Sequence, residues 1–443
     1  MVGRLAVAMA PGAFVPVTAV RADSAAPSTL DRRALGLVIL LAAVGYLVEW
    51  ILRPVVPLIV LDRGGDAALV GIVTAAYALP ALIFRQAIGS TVDGGRGLPI
   101  ARLGSTAMAI GSVGLLLPST IVLAVVRFVH GLGWSFVSVA SQTATMRLAP
   151  PRRRAEVSGY FATVPALGAL VGPAVGVALY TGAGTIAPAL IAVVLAGIVL
   201  GLTIVAPATV GGSRMAPRAE RTSGGGATDP AEFALPRSRG AGGLARLVVE
   251  PAAIGPMAMT ACMMSAQALF FVFAPVFAQR EGLETSQLAW YYVFVGVAFV
   301  AFQAIGGPIA DRLGRGRSIA TAAAFGVVGL LLATTARDLT TLAAAGAIYV
   351  AGSSVFNTTA MALTADLAPA RRLGSAVATY SIGYQIGGSG SAIVWGPLID
   401  RFGYPTPYVL GIALIGLMLL IGRGVTRAQR IAVRADLPAS GAE

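Results

Sequence analysis

Four charged side chains fall deep inside long apolar stretches of this chain: Glu49, Arg53, Arg85 and Arg127. Each costs roughly 2.5–3.5 kcal/mol to place in a bilayer, so such residues face a cavity or a partner. Glu49 is the only acid well inside any of these stretches. It lies fourteen residues beyond Leu35, about 21 Å along a helix and a little past its middle. A carboxyl there can take up and release a proton as its surroundings change. Arg53 stands four residues on, where an ion pair on one helix face is equally available, and both readings stay open. Arg127 occupies a compatible depth in the fourth stretch. His130, the single histidine, is the other group there that can titrate, but beside Gly131 it reads more simply as a packed interface residue. Arg85, four residues before Gly89, reads as an anchor for the connection that follows.

The same inventory excludes other chemistry. One histidine and one cysteine, Cys262, leave no ligand cluster for a metal and no disulfide. No phosphate-cradling loop of the Walker type occurs, so the chain carries no ATPase of its own and no cofactor is expected. A membrane-embedded enzyme would want several His and acidic residues at the bilayer surface, and a receptor or scaffold would need no titratable site within the membrane. The polar and aromatic residues buried in the apolar stretches are the pool for solute contact: Tyr46, Trp134, Gln267, Asn357, Tyr384 and Gln385.

The elements holding these residues follow from composition. The 443 residues are 56% hydrophobic and 12% charged, with mean hydropathy +0.82, and a soluble domain carries about twice that charged fraction. About twenty apolar residues are needed to cross the hydrocarbon. Candidate spans are 35–61, 69–92, 100–117, 121–146, 157–180 and 186–205, then 252–278, 288–310, 319–336, 340–363, 373–399 and 404–421. The expectation is an all-α membrane protein of twelve transmembrane helices in two six-helix bundles. Alternating polarity of the kind a transmembrane barrel needs is missing.

All 32 basic residues are arginine. If both termini are cytoplasmic, 25 arginines fall inside, counting Arg102 at the inner end of the third span, and four outside (Arg63, Arg280, Arg337 and Arg401), with three deep in spans. That asymmetry sets orientation and also accounts for the net charge of +13 without nucleic acid. A bacterial inner membrane is the expected location. Residues 1–30 read as a flexible extension, because Pro11 and Pro16 interrupt the apolar run a signal peptide would need. Residues 31–206 form the first bundle and 251–424 the second. The Gly-, Ser- and Arg-rich interval 207–250 reads as a cytoplasmic linker, and 425–443 as a cytoplasmic tail.

The halves repeat. Gly89-x-x-x-Asp93 corresponds to Gly307-x-x-x-Asp311, and Leu148-Ala149-Pro150 to Leu367-Ala368-Pro369, at offsets of 218 and 219 residues. Parallel repeats of this kind build many secondary carriers, with the solute site between the halves near the midplane.

The run Gly307-Pro308-Ile309-Ala310-Asp311-Arg312-Leu313-Gly314-Arg315-Gly316-Arg317 resembles the signature loop of the major facilitator superfamily. Arg127-Phe128-Val129-His130-Gly131-Leu132-Gly133 is similar to that family's fourth-helix motif. Gly168-x-x-x-Gly172-Pro173-x-x-Gly176 resembles its fifth-helix antiporter motif. The resemblance covers about residues 30 to 425. It implies the major facilitator fold and drug:proton antiporter-like export of a small organic solute by alternating access, acting as a monomer. Proton-coupled import is the alternative. By resemblance Arg127 modulates a proton site at Glu49, with Arg53 beside it, and Gly89, Asp93, Gly307, Asp311, Arg312, Gly314 and Arg315 form gating loops. The first loop departs from the pattern: Gly94 stands at the usual Arg position and Arg96 where Gly is expected. The gating role therefore carries over to Asp311 more directly than to Asp93.

Overall fold

The computed structural model describes residues 32–149, 154–207, 249–368 and 373–435. The N-terminal extension, most of the 207–250 interval and the end of the tail lie outside the described residues, as do the side chains of Asp93 and Asp311. Among the described residues, fourteen α-helices follow one another: α1 Arg32–Asp62, α2 Ala67–Thr91, α3 Gly97–Gly114, α4 Thr120–Leu148, α5 Arg154–Ala183, α6 Ile186–Val205, α7 Ile254–Phe271, α8 Ala274–Arg280, α9 Gln287–Leu313, α10 Arg315–Thr334, α11 Leu339–Leu367, α12 Leu373–Gln385, α13 Ala392–Phe402 and α14 Pro405–Ala435. The pairs α7–α8 and α12–α13 are each one interrupted span, so the helices make twelve crossings. Chain entry at Arg32 and exit at Ala435 lie on one face, here the terminal face. The other, reached by the short α1–α2, α3–α4 and α13–α14 turns, is the distal face. The last helix continues through 425–435, the start of the expected tail.

Among the described residues, ten helices are individually long and apolar enough to cross a bilayer. Among the other spans, α3 carries Arg102, whose guanidinium donates to the Thr203 carbonyl of α6 at 3.0 Å. Large apolar side chains such as Ile121, 79% exposed, cover the outside, an arrangement that suits lipid and not water.

The two bundles repeat one packing scheme. In the first, α3 packs on α4 and α6, α2 on α4, and α1 on α5 and α6; in the second, α10 packs on α11 and α14, α9 on α11, and α7 on α12 and α14. Even a cap repeats. Ser119 accepts from the Val122 amide at the start of α4, and Asp338, 219 residues on, accepts from the Thr341 amide at the start of α11. The hydrogen bonds from Thr341 hold the Asp338 carboxyl below the usual carboxylate range. The bundles meet along α5–α9 and α2–α13.

A broken helix in a bilayer leaves carbonyls that lipid cannot satisfy. At the α7–α8 break, Tyr291 and Tyr292 of α9 donate to the carbonyls of Phe270 and Phe271 at 2.9 and 3.0 Å, and Tyr404 donates to that of Phe273 at 2.5 Å. These buried tyrosines therefore hold the break in place.

Candidate functional site

Glu49 is 7% exposed on α1, and Arg53 Nη2 donates to its Oε1 at 2.7 Å. The i, i+4 spacing puts both on one helix face. Arg53 also lies over the Trp50 ring, 4.2 Å from its centroid, a cation–π contact that fixes the guanidinium from its second side. Pro54 and Pro57 lie inside α1. Lacking N–H groups, they leave the carbonyls of Trp50 and Arg53 without their helical donors, so the helix is pliable beside the ion pair.

Arg127 of α4, 5% exposed, does not pair with Glu49. Its Nη1 donates to His130 Nδ1 at 3.1 Å, and the guanidinium lies 4.3 Å from the centroid of Tyr77 on α2. Because a guanidinium can only donate, Nδ1 is the acceptor and the His130 ring proton sits on Nε2. Among the described residues, Arg127 Nε and His130 Nε2 are buried without a hydrogen-bond partner. Nearby, Tyr46 meets Trp134 edge-on at 4.6 Å between ring centroids, where Gly45 lets α1 approach the Trp134 ring.

The glycines of the fifth-helix motif lie against α1 at this level. A Cβ on Gly168 would come within 2.6 Å of Trp50 Cδ1, one on Gly172 within 2.5 Å of Trp50 Cβ, and one on Gly176 would collide with the Ile51 carbonyl oxygen. The neighbouring Ala169 and Leu170 face Gly296 of α9 in the other bundle, again at backbone contact. Helix α5 thus touches both the ion-pair segment of α1 and the opposite bundle. Trp50 also reaches across the bundles to Phe271, at the α7–α8 break, with ring centroids 5.7 Å apart.

In the second bundle, Tyr380 donates to the Asn357 backbone carbonyl at 3.5 Å and its hydroxyl stands 3.4 Å from that of Tyr384. Among the described residues, the side-chain oxygens of Gln267 and Asn357 are buried without hydrogen-bond partners. Gln385 ends α12 where a wide turn over Ile386–Gly390 begins. Among the described residues no hydrogen bond joins Gln267 or Gln385 to the tyrosines. Gly89 and Gly307 have open space where a Cβ would stand, and Gly314 takes a positive φ of 76° to end α9. Arg315 bonds Asp366 at 3.0 Å, tying α10 to the end of α11, whereas Arg312 is exposed. No group of three or more potential metal ligands occurs among the described residues.

Tyr77, Trp50 and Tyr380 were not singled out by the sequence. Tyr77 lies fifty positions from Arg127, and no local pattern marks it. Trp50 carried a usable signal, standing between Glu49 and Arg53.

The model of the Major Facilitator Superfamily matches residues 38–392. Among curated proteins, the vacuolar membrane amino acid uptake transporter fnx2 of Schizosaccharomyces pombe (strain 972 / ATCC 24843) is 27% identical over 135 residues, 30% of this chain and 23% of that protein's length. Among solved structures, a bacterial homolog of the human lysosomal transporter Spinster, inward-facing and unoccupied, aligns with TM-score 0.68 at 14% identity, covering 92% of this chain and 98% of that one. The human organic anion transporter MFSD10 aligns with TM-score 0.63 at 16% identity, covering 88% and 99%. At such identities the likeness is one of fold. With the family model spanning both bundles and the twelve-span architecture in place, the chain belongs to the Major Facilitator Superfamily and is a multi-pass membrane transporter.

Proposed function

We propose that this transporter exports a small organic solute in exchange for protons, by alternating access between bundles 31–206 and 251–424 joined by the linker 207–250. It would act as a monomer in a bacterial inner membrane with both termini cytoplasmic. The observation that carries this reading is the position of the Glu49–Arg53 pair. It sits on a proline-weakened stretch of α1, between the α5 glycines and the broken seventh span.

With Glu49 charged, the pair and the Trp50 contact hold Arg53 in place. Proton uptake neutralises the carboxyl and releases the guanidinium. The Trp50 segment is then free to shift between α5 and Phe271, and both of those neighbours lead to the bundle interface. Proton release on the other side restores the pair. Arg127 stays charged throughout and keeps the first bundle's interior positive. A solute would lie between Tyr46 and Trp134 on one side and Asn357, Tyr384, Gln267 and Gln385 on the other. The relatives, among them an amino acid uptake transporter and an organic anion transporter, support a small organic solute. Proton-coupled import is the second reading, favoured by the match to an uptake transporter.

The test uses proteoliposomes with an imposed pH difference and a panel of amino acids and organic anions. Wild type should move at least one solute against its gradient, and the direction separates export from import. Glu49→Gln should lose gradient-driven accumulation while retaining solute exchange. Accumulation by Glu49→Gln equal to wild type would remove Glu49 from coupling.

A further inference from the structure

The eight residues Gly307-Pro308-Ile309-Ala310-Asp311-Arg312-Leu313-Gly314, which end α9 on the terminal face, recur in pattern on the distal face. There, Gly396-Pro397-Leu398-Ile399-Asp400-Arg401-Phe402-Gly403 end α13. The backbone recurs too. Gly314 and Gly403 both close their helices with positive φ, 76° and 74°. Their amides donate to Ala310 and Ile399 carbonyls at 3.1 and 3.0 Å.

At the distal copy the contacts of the aspartate are visible. Asp400 accepts from the backbone amides of Ala67 at 3.2 Å and Ala68 at 2.7 Å. These are the first two residues of α2, in the opposite bundle. The amide of Leu69 is taken by α2's own cap, Asp66, at 2.9 Å. A carboxylate of one bundle thus completes the cap of a helix in the other, where the helix dipole favours negative charge. Arg280, at the end of α8, bonds Asp400 and also donates to the Ile399 carbonyl at 2.7 Å, so the carboxylate is held in place from its own bundle. Glycine makes the approach possible. A Cβ on Gly396 would strike the Ala67 carbonyl, and one on Gly71 would strike that of Ala392.

We infer that Asp400, positioned by Arg280, is a gating residue of the transport cycle: it latches α13 to the N-terminus of α2 and so sets how often the distal face opens. Every bond from Asp400 to α2 crosses the bundle boundary and breaks when the bundles part on this side. The bonds between Asp400 and Arg280 lie within one bundle and survive. The latch therefore biases one access state and not the fold of either bundle. This inference rests on alternating access in this chain but not on proton coupling.

The experiment reads conformation directly. In a Cys262→Ser background, spin labels at Leu117→Cys and Thr335→Cys, exposed positions on distal ends of the two bundles, report the opening by pulsed electron paramagnetic resonance in nanodiscs. Asp400→Asn, which weakens a charge-assisted cap, should raise the ratio of long to short distances about tenfold. Asp400→Glu should return it towards wild type. Arg280→Gln keeps the carboxylate and should give a smaller shift in the same direction, and it serves as the readout should Asp400→Asn fail to fold. Lowered thermal stability with unchanged distances in both variants would make Asp400 a structural cap only and overturn the inference. No solute or pH difference is needed, so the outcome is separate from that of Glu49→Gln.

Discussion

At the scale of single residues, the first bundle holds the arginines Arg53 and Arg127 deep among its helices and treats them differently. Arg53 has the Glu49 carboxylate and an indole face; Arg127 has an imidazole nitrogen and a phenol ring. The Glu49–Arg53 pair is accordingly one that should report its own energy. Removing one partner of a buried pair costs about 3–5 kcal/mol. Arg53 keeps 28% of its side-chain exposure, which lowers the expectation to about 1–3 kcal/mol. Arg53→Met should therefore destabilise the detergent-solubilised protein by that amount, and the double variant with Glu49→Gln should recover most of it. A thermal-unfolding double-mutant cycle with no coupling would mean that the pair does not contribute.

At the scale of elements, α5 is the helix that reaches furthest in consequence, since one glycine stripe faces α1 and the adjoining residues face α9. Without lipid-driven segregation, helix association in a membrane depends on such close backbone approach. Gly176→Ala adds a methyl group where the Ile51 carbonyl already touches, so α1 or α5 must shift. The expected result is a loss of about 1–3 kcal/mol in stability, typical of overpacking, with slowed transport. Gly182→Ala on the same helix, with nothing near its Cβ position, should change neither. A Gly176→Ala transporter with wild-type rate and melting temperature would remove α5 packing from the mechanism.

At the scale of the whole molecule, the duplicated packing leaves one question that packing alone does not answer, namely which face is cytoplasmic. The arginine asymmetry of 25 against four predicts that the terminal face is. Reporter fusions at Gly226 and Glu443 should be active as cytoplasmic fusions, and one at Glu284, in the distal α8–α9 turn, as an external one. A periplasmic C-terminal reporter would reverse the orientation and, with it, the side on which the Asp400 latch acts.

The spans, the duplication and the family were legible in the sequence because their causes are local. A bilayer forces each crossing to satisfy its own backbone within about twenty residues, and a repeat at 218–219 residues survives as short motifs around Asp93 and Asp311 and at Leu148 and Leu367. The Glu49–Arg53 spacing was equally local, a single helical turn, although the sequence left it open beside the unpaired reading. Partners on different helices were not legible. Arg127 meets Tyr77, Gly172 meets Trp50, three tyrosines close the α7–α8 break, and Asp400 caps a helix more than 330 positions away. In a soluble helix an apolar stripe would at least have shown which face turns inward. Here lipid and protein interior both select apolar side chains, so periodicity carries little of that information, and only the packed bundles decided which residues face one another.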